Sequence, residues 1–415
     1  MSTIAPTGPQ TFAGVRVPEP RVELILAGET VLLATRYQVR LSILTQPAQF
    51  SLTLGTGASL RELMRDAEPN TPFELKIDDR LVMTGRIDGW ETSGASGILQ
   101  IEGRDALAPL HDGCLEQEQT FKDDTYAALV RKVMDAVGLK STKLVFSNKA
   151  NRKAILGADP EAVVAYEPGP DGKLGKKIET KGQTPRAVES LLIAQGEGGG
   201  TKKHAQAQLG EKAYEFLKRH LDRAGLFLWA AADGSYVLSE PNTAQNAVFE
   251  LFRSQGAAPE FSVIEDSKLT HKTQGRYSKI SVYTRGETKK AGRAKSVASV
   301  TDSEMVELGF VRPMVLRDPN ADTVKKAEFM ARRKLAESRR AGWKLSYTVS
   351  GHVSGSRLDR QLTWAPDTMV RVSDARYGIF ENLWVESVTF SGSPHATTTI
   401  ELMRPQDLVF GDAPT

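Results

Sequence analysis

Apolar and polar residues alternate with a period of two along residues 11–110, a pattern typical of strands that bury one face. The alternation is clearest in residues 49–54 and 72–77, and Gly or Asp residues suited to turns separate the segments. Strand-like segments return after residue 261 and continue to about residue 402. The pattern predicts an antiparallel sandwich or small barrel in the first part of the chain and further strands in the last part.

The middle of the chain has the apolar spacing of helices rather than strands. Apolar residues recur every three or four positions in residues 126–137, 185–192 and 211–224, and Asp124 and Thr184 are the predicted N-caps of the first two helices. Residues 166–183 and 196–210 are rich in Gly and Lys and are predicted to be mobile loops. This part of the chain is therefore predicted to be mixed α/β.

Two segments near the ends of the chain resemble each other. Residues 75–79 match residues 370–374 in pattern, and residues 87–94 align without gaps on residues 385–392. Chance similarity between alternating strands is one interpretation. The one we favour is a duplication, because repeats determine architecture. We predict a mixed α+β fold, mainly β, with two similar antiparallel β-barrel domains at 1–112 and 263–415 flanking an α/β insertion at 113–262.

One long amphipathic helix is predicted over about 323–340, with its Arg and Lys residues facing outward and Gly342 ending it. Its predicted inward-facing residues are Val324, Ala327, Ala331 and Leu335. The helix belongs to the basic segment 325–344, which carries +6, and a second basic segment, 268–295, carries +8. The total charge is +3, so the rest of the chain carries −11. These segments are either solvated surface or contacts for an acidic partner.

Motifs for catalysis or ligand binding are missing from the sequence. It contains no phosphate-cradling G-x-x-x-x-G-K-[ST], no H-E-x-x-H and no G-x-S-x-G, and its six histidines show no metal-ligand spacing. His220 is interpreted as a packing residue and His352 as a residue that bonds locally at a strand end. Cys114 is the single cysteine, which rules out an intramolecular disulfide. We predict no catalytic residue, no cofactor and no metal site, and we expect a protein that is not an enzyme.

An ordered series of short motifs covers residues 12–410. They lie at residues 83–90, 101–107, 112–114, 182–185, 213–226, 276–282, 351–352, 384–388 and 402–405. In this order they resemble the baseplate hub proteins of contractile phage tails, most closely the Mu-like hub, which are related to the hub part of type VI secretion spike proteins. The loops 148–183 and 196–210 fit the pattern poorly.

The resemblance implies a homotrimer with two β-barrel domains in each chain. Its ring of six barrels would adapt the six-fold tail tube to the three-fold spike and leave an axial channel. The implied partners are the tail tube or a tube-initiator protein, a separate central spike protein and baseplate wedge proteins, with DNA passing through the channel as a further candidate. The implied location is the tail baseplate of the virion, assembled in the host cytoplasm, without membrane insertion by this chain.

Two other functions are kept as alternatives. One is the hub module of a contractile injection or type VI-like apparatus, and the other is a tail-associated peptidoglycan hydrolase, which would need a cleft with two carboxylates. The chain ends soon after its last predicted strand, so we expect any spike to be a separate polypeptide. We also hypothesise that outward-facing Arg332, Arg333 and Arg339 bind acidic neighbours.

Overall fold

Strands dominate the computed structural model, as the alternating pattern predicts. Its described residues are 11–12, 15–16, 20–27, 29–33, 36–55, 64–93, 98–115, 120–121, 125–147, 166–168, 174–177, 205–207, 210–253, 264–284, 297–318, 324–354, 362–393 and 395–408. The predicted helix that begins at Thr184 and most of the predicted loops lie outside these residues.

The first β-unit follows from the alternating segments of the N-terminal part. Its strands are β1 (Thr11–Phe12), β2 (Val15–Arg16), β3 (Val22–Leu26), β4 (Glu29–Leu33), β5 (Arg36–Ser42), β6 (Gln49–Gly55), β7 (Pro72–Ile77), β8 (Arg80–Ser93) and β9 (Ile98–Asp105). Six of them pair in the order β5-β6-β9-β8-β7-β3, and β4 pairs with β3 at the edge. The inward-facing residues of these strands, such as Leu24, Leu52 and Leu75, are fully buried.

The middle part combines helices with short strands. Its elements are α1 (Ala108–Asp112), β10 (Thr120–Phe121), α2 (Tyr126–Ala136), β11 (Leu144–Phe146), β12 (Tyr166–Pro168), β13 (Leu174–Lys177), β14 (Ala205–Gln206), α3 (Ala213–Ala224), β15 (Phe227–Ala230) and β16 (Tyr236–Ser239). Strands β11, β16 and β15 form a small sheet that packs with α2 and α3 around a separate apolar core. Strands β12 and β13 pair within a segment that was predicted to be a loop.

The second β-unit begins earlier than the predicted boundary at residue 263. Its elements are β17 (Phe249–Arg253), β18 (Ile264–His271), β19 (Lys279–Thr284), β20 (Val297–Thr301), α4 (Ser303–Glu307), β21 (Pro313–Asp318), α5 (Val324–Gly342), β22 (Trp343–Ser350), β23 (Val353–Ser354), β24 (Leu362–Thr363), β25 (Met369–Asp374), β26 (Ile379–Gly392), β27 (Ala396–Met403) and a final 3-10 helix, Pro405–Asp407. Six strands pair in the order β18-β22-β27-β26-β25-β17. Strand β17, from the predicted insertion, is therefore part of this unit.

The two units have the same strand order, and five of their six strands also match in direction. Strands β7, β8 and β9 contain 6, 14 and 8 residues, and β25, β26 and β27 contain the same numbers. The β8–β9 ladder shifts register between Ile87 and Gly89, and the β26–β27 ladder shifts at the aligned position, between Val385 and Ser387. A bulge conserved between two ladders is a specific feature of backbone geometry. The internal similarity in the sequence therefore reflects a structural repeat.

The end strands of the repeat differ, and the repeat does not form two separate closed barrels by strand pairing. Strand β3 pairs antiparallel with β7, whereas β17 pairs parallel with β25. Residues Ser387–Gly392 of β26 also pair with β5, so both units share one open sheet of 13 strands in the described part of the chain. The confirmed fold class is thus mainly β with a large, mostly antiparallel sheet.

Helix α5 confirms the predicted long helix and lies between β18 and β22 in the chain. It packs on the three-stranded sheet β20-β19-β21 through buried Ala327, Ala331 and Leu335. Val324 was predicted to face inward, but it is 50% exposed because it lies at the first residue of the helix, beyond the sheet. This layer forms its own core beside the large sheet.

The N-cap of α2 differs from the prediction. Asp124 lies outside the described residues, and the Thr125 side chain accepts a hydrogen bond from the Ala128 backbone amide. A threonine hydroxyl and an aspartate carboxylate cap a helix in the same way, so a shift by one residue leaves the helix in place. Helix α3 ends at Gly225, which has a φ of 65° at its C-cap, a left-handed conformation that glycine favours.

Candidate assembly surfaces

The contact between the two units joins distant parts of the chain through paired strands. Strand β5 of the first unit pairs antiparallel with the second half of β26, with Val39 opposite Phe390. Both side chains are fully buried, as is Val388. Burial of this kind stabilises a fold by roughly 1.5–3 kcal/mol per large apolar side chain. The junction is therefore a rigid connection rather than a linker.

A chain of buried hydrogen bonds crosses this junction. The Tyr37 hydroxyl lies 2.6 Å from His352 Nε2, and His352 Nδ1 lies 3.0 Å from Thr398 Oγ1. Thr398 Oγ1 donates to the Gly351 carbonyl at 2.6 Å, so it accepts from His352 Nδ1–H. The Nε2 atom is then the acceptor, and Tyr37 donates to it. Burial lowers the pKa of His352 to about 4, which keeps the ring neutral.

His352 was interpreted as a residue that bonds locally, and the structure corrects this. Its Thr398 partner is in the same unit, but Tyr37 belongs to the other unit, 315 residues away in the chain. The His352 ring also packs edge-on against Phe390, with ring centroids 5.0 Å apart. The sequence shows no sign of this contact, because Tyr37 and His352 meet only after β5 pairs with β26.

Two acidic residues, Glu401 and Glu386, lie beside the same junction. Glu401 Oε2 accepts a hydrogen bond from Ser387 at 2.6 Å and lies 3.7 Å from the Arg40 guanidinium. The Glu386 side chain is at the bulge of β26, where burial, assisted by the nearby Glu401 charge, raises the pKa of its carboxyl to about 7. Charge and strand pairing thus both join the two units.

A second buried polar cluster fixes the small β20-β19-β21 layer. Arg276 is 1% exposed and donates to the carboxylates of Asp302 and Glu304, both at 2.8 Å. Arg339 of α5 donates to the other oxygen of Asp302 at 3.0 Å. Burial opposes the charge on Asp302, but the hydrogen bonds from Arg339 and Arg276 outweigh it and lower the pKa of the carboxyl. The cluster is structural, since both carboxylates accept from buried or half-buried guanidinium groups of the same layer.

The basic residues of α5 largely bind acids within the chain. Arg332 pairs with Glu328 one turn earlier, and Arg333 lies 3.2 Å from Asp222 of α3. Arg339 binds buried Asp302, so it does not face outward as predicted. Arg339 is therefore no longer a candidate for binding acidic neighbours, and an Arg339→Glu substitution would disturb folding. Arg332 stays a candidate, since its side chain is 46% exposed.

Four exposed apolar residues belong to the segment that runs from α4 to β21. Val306 and Leu308 lie at the end of α4, Val311 follows in the loop, and Val315 is on β21. Their exposures are 52%, 53%, 92% and 64%. Exposed apolar side chains that form a contiguous patch are typical of protein–protein contacts.

A cavity of about 670 Å³ lies between the small β11-β16-β15 sheet and the second unit. Glu240 and Asp367 line it together with Trp229. The Asp367 carboxylate accepts hydrogen bonds from the Asn242 backbone amide at 2.8 Å and from the Trp384 indole at 2.9 Å. These bonds join the loop after β16 to the second unit, which gives Asp367 a structural role.

The histidines and other metal-ligating side chains form no candidate metal site among the described residues. His220 is 7% exposed and packs edge-on against Phe216, as predicted for a packing residue. No helix in the described ranges is both long enough and apolar enough to cross a membrane. The sites found in the described residues are thus the junction between the two units and the structural polar clusters.

Comparison with solved structures places this architecture among phage tail proteins. The 43 kDa tail protein of prophage MuSo2 from Shewanella oneidensis superposes with a TM-score of 0.67 at 18% identity, over 94% of this chain and 99% of that one. A tail protein from Neisseria meningitidis gives 0.67 at 19% identity, over 95% and 99%. The chain has the fold of phage tail proteins. This tail-protein fold spans nearly the whole of all three chains, which confirms the resemblance seen in the sequence.

The tail-protein fold also extends to a secretion apparatus. A component of the E. coli type VI secretion system, which shows structural similarity to the T4 bacteriophage tail proteins gp27 and gp5, superposes with a TM-score of 0.50 at 10% identity, over 94% of this chain and 79% of that one. No protein-family model matches the sequence, and no curated protein matches it. The similarity of this chain to the tail and secretion proteins is therefore a similarity of fold.

Proposed function

We propose that this protein is the structural hub of a phage contractile-tail baseplate. The observation that supports it best is the repeat of a six-stranded topology within a chain that has the tail-protein fold over 94% of its length. A trimer of such chains contains six similar units. Three copies can then match a six-fold tube on one face and a three-fold spike on the other.

The proposed role is assembly rather than chemistry. The hub would form a ring with an axial channel, bound to the tail tube or a tube-initiator protein, to a separate central spike and to baseplate wedge proteins, with DNA passing through the channel. The protein would be part of the virion tail, assembled in the host cytoplasm. The exposed Val306, Leu308, Val311 and Val315 provide one apolar surface for such neighbours.

The first test is the mass of the purified chain, measured by light scattering or mass photometry, alone and with the tail-tube and spike proteins of the same particle. We expect three copies, and negative-stain images should show a ring with a central opening. Only single copies in every mixture would contradict the proposal. Zymography on peptidoglycan should show no clearing, and a clear zone lost in an Asp367→Asn variant would favour the hydrolase instead.

A second candidate is the hub module of a contractile injection or type VI-like apparatus. Its support is the TM-score of 0.50 with the E. coli secretion component and of 0.52 with a chain of the PdpA–VgrG complex, of which this chain covers 66%. Antibody labelling of particles and cells distinguishes the two. Label at the tip of tails attached to DNA-filled heads supports the phage hub, and label on sheathed tubes inside cells supports the secretion apparatus.

A further inference from the structure

The repeat identifies two strand edges that correspond to the junction within the chain. Strand β25 pairs with one edge of β26 only as far as Trp384. Beyond this residue, β5 of the first unit pairs with the same edge. The equivalent of β5 in the second unit is β18, and the equivalent of β26 in the first unit is β8. Strand β18 pairs on one side with β22, and β7 covers β8 only as far as Arg86. In the described part of the chain, neither remaining edge pairs with a strand.

The register of the corresponding contact follows from the ladders. Val39 of β5 pairs with Phe50, and Leu269 of β18 pairs with Leu345. Phe50 and Leu345 in turn pair with equivalent residues of β9 and β27. Val39 and Leu269 therefore occupy the same place in the repeat. The sequence alignment places Thr92 at the position of Phe390. The pair Val39–Phe390 thus corresponds to Leu269 opposite Thr92. Residues 89–93 would align with residues 268–272 in antiparallel order.

Burial differs between the junction and the two free edges in the way this correspondence predicts. Val39 and Phe390 are fully buried, whereas Leu269 is half-buried and Thr92 is exposed. At the junction, Val39 and Phe390 are paired with each other in a strand ladder. At the two free edges, the outward-facing backbone groups of Leu269 and Thr92 have no strand partner in the described chain. An unpaired edge is a template for pairing with another chain.

Charge at the free edges is complementary. At the junction, Arg40 of β5 lies 3.7 Å from Glu401 of the neighbouring ladder. In the corresponding contact, Glu91 is opposite Thr270 and therefore diagonal to Lys268 and Lys272 on the same face of the sheet. Diagonal neighbours are roughly 7–8 Å apart, within reach of long side chains. All three charged residues are exposed, so they are available to pair.

The contact ends at Ser267. Its backbone amide is bound by the Asp266 side chain at 2.8 Å, and its carbonyl accepts from the Tyr377 hydroxyl at 3.1 Å. Pairing of a second strand therefore begins after this residue. The five residues 268–272 match the five residues 89–93 in number.

We propose that β18 of one copy of this chain pairs antiparallel with the second half of β8 of the next copy. The contact joins different surfaces of the two copies, so it is repeated head to tail and closes when the rotation completes a ring. Every unit in that ring would meet its neighbours through the same kind of junction, alternately within and between chains. The inference deepens the proposed hub function by naming the strands that hold the ring together.

Engineered disulfides test the register. Glu91→Cys and Thr270→Cys would be combined in one chain in which exposed Cys114 is replaced by Ser. Their in-chain counterparts, Thr389 and Arg40, lie three pairs along the ladder from the hydrogen bond between the Ile43 amide and the Glu386 carbonyl. Since hydrogen-bonded and non-hydrogen-bonded pairs alternate, Thr389 and Arg40 are a non-hydrogen-bonded pair. Such pairs have Cα atoms about 4.5 Å apart, within the range a disulfide spans. We expect oxidation to link the copies into a ladder that ends at the trimer on non-reducing gels.

Matched controls decide the outcome. Arg40→Cys with Thr389→Cys should link within one chain and give no ladder, and Glu91→Cys with Asp266→Cys should not link, since Asp266 is about 14 Å further along the strand. A trimer by light scattering without a ladder would overturn the strand pairing and leave the hub function standing. Single copies and no ladder, even with the tube and spike proteins, would overturn both.

A proline variant gives a second measurement. Thr92→Pro removes an amide from the free edge of β8, where proline is tolerated, so the urea midpoint of the folded chain should not change. We expect this variant to lose the trimer. A Thr92→Pro chain that still forms trimers would contradict the pairing, and Thr92→Val, which keeps the amide, is the control.

Discussion

Replacing His352 with Gln should change how the stability of the protein depends on pH. The imidazole is 1% exposed and is held between Tyr37 and Thr398 at 2.6 and 3.0 Å. Burial lowers its pKa from 6.5 to about 4 in the folded chain. As the pH falls from 6.5 towards 4, the unfolded chain takes up a proton at this site and the folded chain does not. The folded state therefore loses stability over this interval.

The magnitude follows from the difference between the two pKa values. Each unit corresponds to about 1.4 kcal/mol, so the full loss at this site is about 3 kcal/mol, of which about 2 kcal/mol falls between pH 7 and pH 5. His111, whose pKa burial also lowers to about 4, contributes a loss of the same sign. Asp105 and Glu386, whose pKa values burial raises to about 7, contribute in the opposite direction. These contributions cancel when the variant is compared with the parent protein at each pH.

Urea unfolding at pH 7 and pH 5, followed by tryptophan fluorescence at constant ionic strength, measures the effect. His352→Gln should be less stable than the parent at pH 7, and this deficit should shrink by about 2 kcal/mol at pH 5 because only the parent has the titrating group. Tyr37→Phe is the control, since it removes one hydrogen bond and keeps the imidazole. An equal deficit of His352→Gln at both pH values would refute the argument, as would a ring nitrogen NMR titration with a midpoint near 6.5.

Three further substitutions probe other features. Asp302→Ala removes the buried one of the two carboxylates that bind Arg276 and should reduce the free energy of unfolding by roughly 3–5 kcal/mol in urea titrations, whereas Glu328→Ala, in an exposed pair, should change it by less than about 1 kcal/mol. Gly103→Ala would place a Cβ 2.6 Å from the Phe50 ring and should lower stability by about 1–3 kcal/mol, and Gly89→Ala, with nothing within 4 Å, should leave the thermal midpoint in place. Glu386→Gln should stabilise the chain at pH 8, where the native carboxylate is charged, and lose this advantage by pH 5, as thermal unfolding at both pH values would show.

Local patterns in the sequence predicted the elements well, because helices and strands depend on nearby residues. Helix α5 extends over Val324–Gly342 where about 323–340 was predicted, and the alignment of 87–94 with 385–392 matches the two bulged strands. Asp233 and Gly234, a residue pair typical of tight hairpin turns, lie between the paired strands β15 and β16. The spacing of apolar residues and the residue types at turns are local features that specify these elements.

Contacts between distant residues could not be predicted in the same way. The pairing of Val39 with Phe390 joins residues 351 positions apart, and nothing in the alternation of either strand specifies its partner. Arg276 belongs to a basic segment that was interpreted as surface, yet it is buried because Asp302 and Glu304 lie on a neighbouring element. Both outcomes depend on tertiary packing, which a count of charges along the chain does not contain.

The fusion of two similar units into one chain has a consequence for how the protein can evolve. In an assembly of identical single-unit subunits, every substitution would be copied to every position. Here the aligned bulge residues have already diverged: Asp88 binds Arg104, whereas Glu386 lies beside Glu401. A mutation in one unit alters one class of contact and spares its counterpart, so the two can specialise for different neighbours while the backbone plan is retained.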